Sequence, residues 1–204
     1  MLSGPSGLLE AILETPADRK IIGCGVVCHP HPQQGGTMHN KVAHTLARAF
    51  VNRHIAALRF NFRGVGKSEG NYDEARGELQ DALAAASWIR HRYAGLPLWF
   101  GGFSFGAAIA IRAGAESGAA GLISVAPAVS RFAGGMSKQP ACPWLIVHGD
   151  KDELVNIDET IEWVQTLGPG PVLEVFEDTG HFFHGRLLRL RGSVENFIDG
   201  VGGQ

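Results

Sequence analysis

Ser104 stands in the pentapeptide Gly102-Phe103-Ser104-Phe105-Gly106, a G-x-S-x-G spacing suited to a nucleophilic hydroxyl. A serine hydroxyl is a weak nucleophile until a base takes its proton and a third group orients that base. The rest of the chain offers both. The apolar run Trp144-Leu-Ile-Val-His-Gly149 opens into Asp150-Lys-Asp152-Glu153, and the next apolar run ends in Glu177-Asp-Thr-Gly-His181. Serine, carboxylate and histidine therefore each follow a separate run, in the chain order Ser, acid, His. That set could transfer an acyl group through a covalent intermediate. Asp150 and Asp152 compete for the role of acid. His184 competes with His181 for the base, but three residues further on it falls within or beside the last helix.

Positioning these groups needs a strand before each. Leu96 to Phe103 reads as a strand and Phe105 to Glu116 as a buried Ala/Ile helix, so Ser104 falls on a strand-to-helix reversal. Glycines at 102 and 106 would relieve the crowding where strand and first helical turn meet. Elsewhere, Leu8 to Glu14 and Ile21 to Cys28 read as strands joined by a Pro16-Ala-Asp-Arg turn, predicting an opening hairpin. Helices are predicted from Asn40 to Asn52 and Glu74 to Arg92, with Leu79, Ala82, Leu83, Ala86 and Ile89 of the second facing inward. Strands are predicted at Ile55 to Phe62, Gly121 to Ala126, Trp144 to His148 and Val172 to Glu177. Two more helices close the pattern, Ile157 to Leu167 and Leu187 to Asp199. Alternating strands and helices imply a mostly parallel sheet covered on both faces, with ligands at the carboxyl ends of the strands. Residues 127–143 are too few for a separate helical cap, which predicts an open or shallowly covered site.

The chain has 204 residues, 45% of them hydrophobic and 19% charged, with a net charge of −2. These values fit a single globular domain over residues 1–204. They give no support for a nucleic-acid or membrane partner. The basic cluster Arg186-Leu-Leu-Arg189-Leu-Arg191 reads as the solvated face of an amphipathic helix. No secretion leader and no membrane-length apolar run is visible. Cys24, Cys28 and Cys142 match neither a zinc ribbon nor a redox pair and read as buried thiols in a reducing cytoplasm. Quaternary state has no signature in the sequence.

Other patterns have blander readings. Arg63-Gly-Val-Gly-Lys-Ser68 follows a strand, but Asn61 stands where a P-loop needs its first glycine, and Glu69 where G-x-G-x-x-G needs its last. A tight turn is the better reading. His29 and His31 form an H-x-H pair near His39 and His44, yet the interleaved prolines and the missing acidic ligand argue against a metal, and no cofactor is expected. Phe103, Phe105, Phe182 and Phe183 could line an acyl pocket or simply pack. Trp88, Trp99, Trp144 and Trp163 read as core.

The order Ser, acid, His is that of the α/β hydrolases, and from about residue 20 onward the chain resembles that superfamily. Its His-Pro-His-Pro-x-x-Gly-Gly stretch (His29 to Gly36) and its Arg-Phe-Asn-Phe-Arg-Gly-x-Gly-x-Ser-x-Gly stretch (Arg59 to Gly70) resemble a small, lidless bacterial subgroup of serine hydrolases. The resemblance implies an α/β-hydrolase fold, a three-layer sandwich around a mostly parallel sheet of about seven to eight strands, with no large cap domain. It also implies esterase-like chemistry on a small-molecule acyl substrate. Matched by motif, Ser104 is the nucleophile, Asp152 the acid of the His-Gly-x-x-Asp-x-x-Val pattern (His148 to Val155), and His181 the base. The oxyanion hole would use the backbone N–H of Phe105 and that of His31, with Gln33 or Gln34 as alternatives and the His31 side chain incidental. Pro30 and Pro32 have no N–H to give. Thioesterase, amidase and acyltransferase activities use the same machinery, and a noncatalytic scaffold that binds a small molecule or partner is the reading from another class.

Overall fold

The computed structural model describes residues 1–18, 20–132, 138–168 and 170–202. Among the described residues the strands are β1 Leu2–Gly4, β2 Gly7–Leu9, β3 Ala11–Glu14, β4 Gly23–Cys28, β5 Ile55–Phe60, β6 Leu98–Phe103, β7 Gly121–Val125, β8 Trp144–Gly149 and β9 Val172–Phe176. The α-helices among them are α1 Lys41–Asn52, α2 Arg76–Arg92, α3 Phe105–Ser117, α4 Val129–Phe132, α5 Ile157–Gln165 and α6 Leu187–Gly202. β3 to β9 form one seven-stranded sheet in the order β3-β5-β4-β6-β7-β8-β9, and β1 and β2 make a small separate hairpin.

Every residue of β4, β5, β6, β7 and β8 is buried. Their side chains alternate between two cores, as a pleated strand covered on both faces requires. Val26, Leu58, Phe100, Leu122 and Ile146 pack with α2 and α3 on one face. Val27, Ala57, Trp99, Ile123 and Leu145 pack with α1 and α6 on the other. Asn40 caps α1, its Oδ1 accepting the N–H groups of Val42 and Ala43 at 2.9 and 3.3 Å. The central strands are parallel, so their carboxyl ends open on the same edge of the sheet.

The expected pairing of the first two long strands does not occur. β5 lies between them, antiparallel to β3 (Ile12 opposite Arg59) and parallel to β4 (Cys24 opposite Ala56). β4 is wholly buried and needs a parallel neighbour on each side, which β5 and β6 supply. β3 is only half-buried and suits an edge. Polar ties hold it there: Glu14 Oε1 takes Arg59 Nε at 2.7 Å, and Glu10 Oε2 takes Asn61 Nδ2 at 2.8 Å. Two tryptophan and leucine assignments also shift. Trp88 lies on the outer face of α2, 36% exposed with Arg92 stacked over it, and Leu83 is only half-buried.

The turn after β5 is fixed from within. Ser68 Oγ donates to Asn61 O at 2.7 Å and accepts the Glu10 N–H at 2.9 Å, while Lys67 N–H is spent on Glu10 Oε2 at 2.9 Å. Arg63 anchors it to α2 through a buried pair with Asp81: Nε to Oδ2 at 3.0 Å, Nη2 to Oδ1 at 2.7 Å, and the Arg63 backbone N–H to Oδ2 at 3.0 Å. Both side chains are shielded, Asp81 entirely. Removing one partner strands the other charge in the core. Asp81→Ala is expected to lower the unfolding free energy by about 3–5 kcal/mol, read by urea denaturation; a loss below about 1 kcal/mol would show that the pair does not anchor this turn.

Candidate active site

Ser104 occupies the turn between β6 and α3 with φ 56° and ψ −118°, in the positive-φ region that a serine rarely adopts. Steric crowding around it accounts for both glycines. A Cβ at Gly102 would meet the Gly106 carbonyl oxygen at 2.3 Å, and a Cβ at Gly106 would meet the carbonyl oxygens of His29 and Cys28 at 2.3 and 2.4 Å. The close approach presses the start of α3 against the end of β4. It also leaves Phe105 at the first helical position, where an N–H has no partner within the helix.

Asp152 lies in the turn after β8, with its side chain fully shielded. Oδ1 accepts the N–H groups of Leu154 and Val155 at 2.9 and 2.8 Å. Oδ2 lies 2.7 Å from His181 Nδ1 and 3.2 Å from His148 Nε2. Burial opposes ionisation of this carboxyl, but the donors from His148, His181 and Val155 outweigh it and hold Asp152 well below the usual carboxylate range. His181, 3% exposed, follows β9; its ring rests on Phe103 with centroids 4.8 Å apart, and its backbone N–H donates to Glu153 Oε2 at 3.2 Å. With Nδ1 turned to Asp152, Nε2 is the ring nitrogen left to act elsewhere. Ser104, Asp152 and His181 all line one cleft of about 540 Å³.

The rivals are placed apart. Asp150 accepts the Thr179 N–H at 3.2 Å and so ties two turns together. His184 is exposed and lines a different depression, beside His39, Lys41 and Phe182. In the loop after β4, the amides of Gln33 and Gln34 are used internally, donating to His31 Nδ1 at 3.2 Å and His31 O at 3.0 Å. The N–H of His31 makes no such bond among the described residues.

The His31 side chain is not incidental. Its Nδ1 caps the short 3₁₀ turn Pro32–Gln34, its Nε2 lies 3.3 Å from the Tyr72 hydroxyl, and its ring packs on Tyr72, Phe105 and Phe132. Burial and then the nearby Arg131 guanidinium push its pKa down. His29 is buried with both ring nitrogens committed, Nδ1–H donating to Pro30 O at 2.6 Å and Nε2 accepting the Phe62 N–H at 3.1 Å; burial pushes it down to about 4, against the pull of the Pro30 carbonyl. His29 therefore has no ring nitrogen left to ligate a metal. Of the four phenylalanines, Phe103 and Phe183 are core, Phe182 is 42% exposed, and only Phe105 lines the cleft.

Some of the other lining residues carry no sequence signal. Arg131 and Phe132 enter from α4, a helix too short to read in advance, and residues 133–137 of the same connection lie outside the described residues. Asn156 and Glu159 could have been found, since an Asn followed by Asp158 and Glu159 is the start signal of a helix. Asn156 indeed caps α5.

A family model described as serine aminopeptidase, S33, matches residues 25–133, just over half of the chain. The chain belongs to this hydrolase family. The hydrolase is 41% identical to an α/β serine hydrolase homologue from Coxiella burnetii, with a TM-score of 0.91 over 96% of this chain and 94% of that one. It is 39% identical to an α/β serine hydrolase without a lid from Xanthomonas campestris, again with a TM-score of 0.91, over 97% and 91% of the two chains. An uncharacterised protein of Rickettsia prowazekii is 32% identical over 96% of this hydrolase and 86% of its own length. The fold is therefore that of an α/β hydrolase without a large cap.

Two expectations follow from this geometry. Gly106→Ala would drive α3 away from β4 and displace Ser104; a folded variant whose Ser104 still reacts with a phosphonylating reagent at the wild-type rate would refute the steric account. Asp152 is more acidic folded than unfolded, so it stabilises the fold above the unfolded carboxylate range, near 4, and that contribution drains away as pH falls toward the lower folded value. The thermal midpoint of wild type should thus fall more steeply below pH 4 than that of Asp152→Asn, measured by circular dichroism at a series of pH values.

Proposed function

We propose that this hydrolase is a serine esterase that cleaves small ester or related acyl substrates through a Ser104–His181–Asp152 triad. The observation that carries the reading is the 2.7 Å bond from His181 Nδ1 to the buried Asp152, on a cleft shared with Ser104. Asp152 holds the imidazole with Nδ1 protonated, so Nε2 can take the Ser104 proton as Oγ bonds to the substrate carbonyl carbon. The carbonyl π electrons move onto oxygen, and the N–H groups of Phe105 and His31 face that developing charge. His181 then gives its proton to the leaving alcohol as the C–O bond breaks. A water molecule, deprotonated by the same nitrogen, cleaves the acyl-enzyme and returns Ser104 to its hydroxyl form.

The cleft supports a short, polar substrate. Its volume lies within the range of small-molecule sites, and Gln34, Ser130, Arg131, Asn156 and Glu159 contribute polar side chains beside Phe105 and Phe132. Among the described residues its apolar lining is Phe105, Ala128, Phe132, Leu154 and Val155. The free Cys24, Cys28 and Cys142 support the cytoplasm as the working compartment, and among the described residues no helix is long and apolar enough to cross a membrane.

A fluorophosphonate probe should label the folded protein at Ser104 alone, as located by peptide mapping. On short-chain p-nitrophenyl esters, Ser104→Ala is expected to lose on the order of 10⁶-fold in kcat and Asp152→Ala on the order of 10⁴-fold. Equal rates for wild type and Ser104→Ala, or a label elsewhere, would defeat the proposal.

A further inference from the structure

His148, the penultimate residue of β8, is fully buried and meets the same Asp152 oxygen, Oδ2, that His181 meets. Its Nε2 lies 3.2 Å from Asp152 Oδ2 and 3.0 Å from the Val155 carbonyl oxygen. Both neighbours only accept, so Nε2 carries a proton, which it donates to Val155 O while it stands at ion-pair distance from Asp152 Oδ2. Its other nitrogen, Nδ1, is buried with no hydrogen-bond partner among the described residues. A leucine would fill this space without leaving a polar atom unsatisfied, and native cores rarely retain such an atom without a use. The use visible here is the pair of contacts at Nε2.

We propose that His148 is a positioning residue that holds Asp152 at Oδ2 and sets how strongly that carboxylate engages His181. The inference rests on the triad reading above. Two consequences follow from the geometry. Through Val155 O, His148 closes the turn that carries Asp152, so the carboxylate cannot swing away from β8. Through Oδ2, it competes with His181 for the same oxygen and draws off part of the negative charge that His181 would otherwise feel. Asp152 therefore stays ionised in a buried setting yet does not grip the imidazolium so tightly that His181 becomes reluctant to release its proton.

The other charged groups around this cluster have separate tasks. Glu153 accepts the His181 backbone N–H, Asp150 accepts the Thr179 N–H, and Arg131, Glu159 and His31 line the cleft beyond. Replacing His148 leaves all of them in place, so a change in the pH profile reports the lost contact at Oδ2.

The test compares His148→Gln, whose amide N–H reaches about as far as Nε2, with His148→Asn and His148→Leu, which cannot supply that donor. For Asn and Leu, kcat on a short-chain ester should fall on the order of ten- to a hundredfold, with KM little changed. The acid limb of kcat/KM should move to higher pH by roughly half a unit to one unit, because a less shared Asp152 stabilises protonated His181 more. Gln should return the limb to its wild-type position. If the Leu variant does not fold, the Gln and Asn pair, matched in polarity, still decides. Identical pH profiles for Gln, Asn and wild type would overturn the proposal even if all were less stable. Failure of the wild type to label at Ser104 would instead defeat the triad itself, so the two outcomes are distinguishable.

Discussion

The placement of Ser104 depends on how closely the first turn of α3 approaches the end of β4. Gly102 and Gly106 have no side chains because backbone atoms already stand 2.3 Å from where a Cβ would lie. That approach does three things together. It lifts Ser104 above the sheet edge, frees the Phe105 N–H at the helix start, and brings the loop carrying His31 beside both. The five central buried strands supply the rigidity that makes such crowding tolerable, since a looser sheet would relax around it.

The second organising element is an anion rather than a contact of shapes. Asp152 is a fully shielded carboxylate surrounded by two backbone N–H groups and two imidazoles. A charge buried that way is stable only when donors surround it, and these donors come from the turn after β8, from β8 itself and from the segment after β9. The carboxylate thereby ties together the carboxyl ends of two neighbouring strands. Asp150, two residues earlier, serves the same junction by accepting the Thr179 N–H.

Much of this was legible in the chain. The strand, elbow and helix around Ser104 announce themselves because local sterics demand glycine, and the apolar runs before Asp152 and His181 show where the sheet must deliver them. What could not be read depends on partners distant in sequence. Nothing near Glu14 or Arg59 indicates that β5 separates β3 from β4, because that choice is settled by which strand needs two buried neighbours. The role of Tyr72 against His31, 41 residues apart, is set by the packing of two loops. His148 looks like an ordinary strand residue until its depth and its distance from Asp152 are known. Trp88 shows the converse, since its size suggested core while its position on α2 faces outward.

The backbone of Ser104 carries a further consequence. Holding a serine at positive φ costs on the order of 1–3 kcal/mol that neighbouring contacts must offset, and a glycine at 104 would lower that cost while deleting the hydroxyl. If Ser104 is the nucleophile proposed above, position 104 is a point where folding and reactivity pull in opposite directions. Any gain in heat tolerance for an active form of this hydrolase has to be found away from the elbow, for instance along the edge strand β9, where Val172 and Val175 remain open to solvent.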